Sequence, residues 1–192
     1  MPGVSTASVV ADFVRYRLES SGVDIDINDF PNPALNENVP QDLHEAIVNL
    51  SERFMIQYGD TFSGMQKQLG LATADVTVNS IISTFSAVAE EMFLDTVISW
   101  GRIIAFLAFG GSLCVWSSEK RIPQASRRVQ QLMTSYIDSH LRTWILENGG
   151  WEGLIEFYQD WSRDSTGAWS GKQLATMATL GLLKVGSFFF RP

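Results

Sequence analysis

The sequence predicts an all-α fold, a helical bundle packed around one segment that is apolar on almost every side. Three observations carry this expectation. Apolar residues recur at helical spacing along most of the chain, period-two alternation is scarce, and residues 97–116 are apolar nearly all round, as a centrally buried helix would be. The chain has 192 residues, of which 45% are apolar and 18% charged. That suits one domain with a sizeable core and excludes a disordered chain.

The elements follow in order. Residues 5–20 set Val9, Phe13 and Tyr16 on one face with Val10, Val14 and Leu18 beside it, a broad-faced amphipathic helix. Residues 21–40 hold three prolines and several Asn and Asp, and read as a loop. Leu43, Ile47, Leu50 and Phe54 form a stripe over 41–58, and residues 59–75, broken by Gly59, Gly64 and Gly70, are expected to hold a short helix. Ile81, Phe85, Val88 and Met92 mark a further helix over 75–94, ahead of the apolar segment. Pro123 suits a helix start, with Val129, Leu132, Tyr136 and Trp144 turned inward and Asn148-Gly149-Gly150 as the stop. A short helix begins at Trp151. Seven to nine helices arranged around a central apolar hairpin result. The expected organisation is a helical domain over 1–160, a polar linker over 161–172 and an apolar tail over 173–192.

The net charge of −7 argues against nucleic-acid binding. The single cysteine, Cys114, can form no internal disulfide and reads as inert packing in the apolar helix. His44 and His140 are the only histidines, no close-spaced Cys/His cluster offers a metal site, and no glycine-rich phosphate loop carries a lysine. No enzyme, metal or cofactor is expected. The N-terminus lacks a basic region followed by an apolar stretch, so no secretory leader is expected either. Residues 97–116 are long enough to span a bilayer. Arg102, Ser99, Ser112 and Gly110-Gly111 favour a buried helix instead.

Arg102 poses the question of partners. A buried charge needs one, and within the chain Glu90, Glu91 and Asp95 are near in sequence.

The stretch Ser99-Trp-Gly-Arg-Ile-Ile-Ala-Phe-Leu-Ala-Phe-Gly-Gly111 resembles the first homology region of the Bcl-2 family, whose core motif is Asn-Trp-Gly-Arg. Residues 147–158 (ENGGWEGLIEFY) resemble the second region, residues 9–22 the fourth, and residues 46–62 stand where the third belongs. The resemblance runs over nearly the whole chain in the family's order. Two departures stand out. Ser99 replaces the usual Asn, and the third region carries Ile47 followed by Ser51-Glu52 where the family has Leu and then Gly-Asp. The third region is therefore read as a groove wall rather than as a ligand helix.

The resemblance implies an eight-helix fold with a surface groove that takes an amphipathic BH3 helix from pro-apoptotic members, both Bax/Bak-like and BH3-only. On that basis Arg102 is expected to face the groove and pair with a ligand aspartate, with Gly101 and Ser99 beside it. Phe54, Tyr58, Phe62, Met65, Val88, Met92 and Ile104 are expected to line the trough, with Tyr158 near one end. For each apolar residue the competing reading is ordinary core. Trp100 and Trp151 are read as structural anchors. The resemblance also implies a tail anchored in the mitochondrial outer membrane or endoplasmic reticulum, the rest of the chain being cytoplasmic. Lys184 interrupts the tail, and a tail folded into the groove or lying on a membrane surface are the alternatives. The expected role is inhibition of cell death. The alternative is a Bax/Bak-like effector that permeabilises the mitochondrial outer membrane.

Overall fold

A computed structural model describes residues 4–23, 39–66, 76–122 and 124–163, without the side chains of 61–66. The expected tail, Lys184, Pro123 and most of the 21–40 loop lie outside the described residues. All elements among the described residues are helical: α1 (Thr6–Ser20), α2 (Gln41–Gln66), α3 (Val78–Phe93), α4 (Trp100–Glu119), α5 (Ala125–Tyr136), α6 (Arg142–Glu147) and α7 (Gly150–Arg163).

Local chemistry sets the starts. Ser5 caps α1 by accepting the Ser8 N–H at 3.2 Å, and Thr77 and Ser80 close a reciprocal capping box on α3. These side chains satisfy donors that a helix N-terminus otherwise leaves orphaned. Gly149 and Gly150 both take positive φ, at 87° and 65°, so the stop expected at Asn148-Gly149-Gly150 is made by left-handed backbone.

α2 departs from expectation. Gly59 and Gly64 do not break it, and the helix runs on to Gln66. A helical glycine costs only about 1 kcal/mol relative to alanine, which the packing of Leu43, Ala46, Ile47, Leu50 and Phe54, all buried, offsets. α7 also overruns: it continues to Arg163, through the first residues of the expected linker. Between α5 and α6 lies a single π-helical turn, Ile137–Leu141, whose Ile137 and Leu141 are both buried.

α4 is the axis of the molecule. It packs on α1, α2, α3 and α5. Its 20 residues extend about 30 Å. Of its most apolar window, 83% is buried by the other helices, so here it is a core helix. The central hairpin has one apolar arm and one amphipathic arm, since α5 buries only Ala125, Ser126, Val129 and Met133. The glycine pair of α4 lets neighbours approach. A Cβ on Gly111 would stand 3.0 Å from Phe13 Cε1 and 3.2 Å from Arg17 Cγ of α1, and one on Gly110 would run into Met133 of α5. Trp100, Trp144 and Trp151 cluster where α4, α6 and α7 meet, with ring centroids 5.2 and 6.1 Å from Trp100. The anchoring role expected of Trp100 and Trp151 fits this cluster.

Candidate functional site

Ser99 and Arg102 meet at the first turn of α4. Ser99 has extended backbone and its hydroxyl accepts the Arg102 N–H at 3.3 Å, so it is the N-cap of α4. Serine shares with asparagine the short acceptor that an N-cap needs. Gly101 and Arg102 lie buried in the turn that follows.

The guanidinium of Arg102 is almost completely enclosed, with its side chain 1% exposed. Asp95 takes both terminal nitrogens, Nη1 on Oδ1 and Nη2 on Oδ2, the latter at 2.8 Å. Nη1 also donates to the carbonyls of Val97 at 2.7 Å and Met92 at 3.3 Å. Nε is buried with no hydrogen-bond partner among the described residues. Without a ligand, Arg102 thus holds an internal carboxylate, the competing partner that its sequence neighbours offered. The connection from α3 to α4 turns back over the start of α4 and brings Asp95 onto the charge, because a guanidinium enclosed to this degree cannot be left unpaired. Of the three nearby carboxylates that the sequence offered, Asp95 is the one.

The connection itself is strained. Thr96 has φ of 60°, a left-handed conformation that costs a β-branched residue on the order of 1–2 kcal/mol. The Val97 N–H donates to Asp95 Oδ1 at 3.2 Å, and the Thr96 N–H to the Phe93 carbonyl at 3.0 Å. Leu94 and Val97, on either side, are exposed.

The residues expected along the trough divide into three groups. Phe54, Val88, Met92 and Ile104 are at most 2% exposed. They are buried in this structure, as the competing reading of ordinary core expects. Tyr58 and Tyr158 are half-buried. Tyr58 packs against Phe54 at 4.9 Å and its hydroxyl is pushed above its ordinary pKa by burial, while Tyr158 stacks on Trp161 at 6.0 Å. Phe62 and Met65 lie on the last turns of α2, and their side chains are outside the described residues. α2 and α3 both pack on α4, while neither packs closely on the other among the described residues.

Two features have no counterpart in the sequence pattern. The first is a polar seam joining α1 to α2. His44 Nδ1 lies 2.6 Å from Asp12 Oδ2, and Tyr16 packs edge-on to His44 while donating its hydroxyl to Glu52. That bond, followed by burial, holds the Tyr16 hydroxyl above its ordinary pKa. Glu52 is one of the three departures in the third region, and through this bond it reaches α1. Its neighbour Ser51 is buried. The second feature is a cavity of about 630 Å³ where the starts of α1, α2 and α7 converge beside α6, rimmed by Val4, Leu43, Arg142, Ile145, Gly150 and Trp151. No residue expected in the trough lines it. Periodicity within one helix carries no signal for either feature.

Cys114 matches its expected role. It is buried on α4, burial pushes its thiol well above the ordinary range, and its sulfur donates to the Ser126 carbonyl at 3.5 Å. Ser126 in turn donates to the Cys114 carbonyl at 2.9 Å, which ties α5 to α4.

Residues 47–151 match the family described as apoptosis regulator proteins, Bcl-2 family. Bcl-2-like protein 1 from Homo sapiens is 35% identical over 151 residues, covering 77% of this chain and 62% of that protein. Apoptosis regulator R1 from Xenopus laevis is 30% identical over 194 residues, covering 97% of this chain and 79% of the relative. Apoptosis regulator R11 from the same organism is 29% identical over 80% of each chain. The chain thus spans less than two thirds of the length of the Bcl-2-like protein 1 sequence it matches. A helical bundle built around α4, a Trp-Gly-Arg turn at its start and a family match from Ile47 to Trp151 lead to one assignment: this chain belongs to the Bcl-2 family.

Proposed function

We propose that this protein inhibits cell death by holding the BH3 helix of a pro-apoptotic family member, without catalysing a reaction. The observation that carries the reading is the placement of α2 and α3, which both lie on α4 without packing closely on each other, next to a buried arginine at the start of α4. A receptor for an amphipathic helix needs an apolar floor between two walls and one fixed charge to set register. Phe54, Tyr58, Val88, Met92 and Ile104 supply the floor and walls, Phe62 and Met65 extend it along α2, and Tyr158 closes one end. Gly101 and Ser99 flank Arg102 with small side chains. Because Phe54, Val88, Met92 and Ile104 are covered now, the ligand helix enters by displacing the side chains that cover them. Methionines suit this role, since they repack around different ligands.

The survival role rests on the well-matched N-terminal region, on the continuation FGGSLCVW after Trp-Gly-Arg, and on the third region, where Glu52 is engaged with Tyr16 of α1. An effector needs that segment free to pair with its neighbours. The proposed place of action is the cytoplasmic face of the mitochondrial outer membrane or endoplasmic reticulum, reached through residues 173–192.

The test is a calorimetric titration of the full chain with BH3 peptides of Bax-like and BH3-only origin. The expected result is binding at a Kd of about 1 μM or tighter, some −8 kcal/mol. No binding across the panel overturns the reading. In parallel, dye release from liposomes caused by this protein alone would reassign it as an effector.

A further inference from the structure

We propose that Asp95 is a built-in substitute for the ligand's carboxylate, and that it sets how strongly the site discriminates ligands that carry one. The inference rests on the groove reading above. Arg102 does not wait as a bare charge. Its two terminal nitrogens are taken end-on by the Asp95 carboxylate, and only Nε is left without a partner among the described residues. Asp95 is reachable where Arg102 is not, with side-chain exposures of 22% and 1%. It is carried on a short connection whose next residue, Thr96, sits at φ 60° between the exposed Leu94 and Val97. A strained, outward-facing segment held down by an ion pair is a clasp that can open.

The consequence for recognition is an exchange. Arg102 has a carboxylate in the unliganded protein and would have one in the complex, so a ligand aspartate gains only the difference between two similar pairs. Asp95 returns to water when the clasp opens, which costs little for a group already partly solvated. A ligand without the aspartate leaves Asp95 in place and meets no unpaired buried charge. Asp95 therefore mutes the distinction between ligands with and without a carboxylate. A receptor whose arginine lacked this internal partner would enforce it.

The experiment uses the full chain and two fluorescein-labelled BH3 peptides, one with its central aspartate and a twin with asparagine there. The quantity read is the ratio of the two dissociation constants in the wild type and in Asp95→Asn. The ratio is expected to be about fivefold or more larger in Asp95→Asn, chiefly through tighter binding of the aspartate peptide. Binding by Asp95→Asn alone overturns the groove reading for the natural chain and this inference with it. A ratio that rises less, or falls, while the peptides bind overturns the role of Asp95 and leaves the groove standing. Failure of both peptides on both proteins overturns the groove reading and this inference with it.

Should Asp95→Asn fail to give a cooperative melt, Thr96→Gly carries the test. It keeps both charges and relieves the left-handed strain of the closed clasp. The aspartate peptide should then bind about two- to fivefold more weakly. Unchanged or tighter binding overturns the proposal.

Discussion

The α3–α4 corner and the α1–α2 seam each join two helices through a carboxylate, yet they differ in burial and therefore in what they contribute. At the corner, Asp95 meets a guanidinium that is 1% exposed. At the seam, Asp12 and His44 keep side-chain exposures of 18% and 26%, and Glu52 is exposed. Water reaches both partners of each seam bond, whereas at the corner it reaches Asp95, 22% exposed, but not the guanidinium. A partner is therefore essential for the buried Arg102, whichever carboxylate supplies it, and optional for the partly exposed groups of the seam.

Substitutions at the corner should show the largest effect. Arg102→Ala takes the guanidinium away from Asp95 and opens a hole in the first turn of α4, so a loss of about 3–5 kcal/mol in denaturant unfolding is expected. The double variant Arg102→Met/Asp95→Leu should recover most of it, since a well-packed apolar pair replaces a buried ion pair at little cost. A double variant as unstable as the single one would show that the backbone bonds to Met92 and Val97 matter more than the charge. Weakened peptide binding by Arg102→Ala cannot be read alone for the same reason, because the residue supports the turn as well as the site.

Thr96→Gly should act in the opposite sense. It should raise stability by about 1 kcal/mol, because glycine takes the left-handed backbone without the threonine's penalty. A loss there would mean that the threonine side chain, which donates its hydroxyl to the Asp95 carbonyl at 2.7 Å, contributes more than the strain costs.

The smallest effects belong to the seam. Tyr16→Phe should cost no more than about 1 kcal/mol near neutral pH. Its pH dependence sharpens the comparison. The folded protein holds the Tyr16 proton more tightly than the unfolded chain does, so the contribution is complete below the ordinary tyrosine pKa of about 10 and is lost as pH rises through the raised value. Urea melts between pH 8 and 11 should show stability falling at the alkaline end, less steeply for Tyr16→Phe. Cys114 offers a check on the core between the two regions. With its thiol buried and kept protonated, it should resist alkylation at pH 8 until the protein unfolds.

Helix faces are the most legible feature of this chain. The stripe of Leu43, Ile47, Leu50 and Phe54 is buried as expected, and so are Ile81, Phe85, Val88 and Met92. Spacing at 3.6 residues reports directly which face a helix hides. Helix ends are less legible, because a cost of about 1 kcal/mol at Gly59 is small against tertiary packing. Among the site residues, the sequence locates Ser99, Gly101 and Arg102 but not what they do. Ser99 is a cap, and Arg102 is already paired.

The sequence by itself determined the helical class, the central position of α4 and the family, since these depend on periodicity, on apolarity and on motifs in fixed order. Only the tertiary structure decided which carboxylate meets Arg102, that Glu52 reaches Tyr16, and that Phe54 and Ile104 lie in the core. The reason is physical. Glu90, Glu91 and Asp95 are all close to Arg102 along the chain, and the choice among them follows from the path of six backbone residues between α3 and α4, including one φ of 60° that threonine does not advertise. Contacts between helices depend on how those helices are turned against each other, and no single helix carries that information in its own sequence.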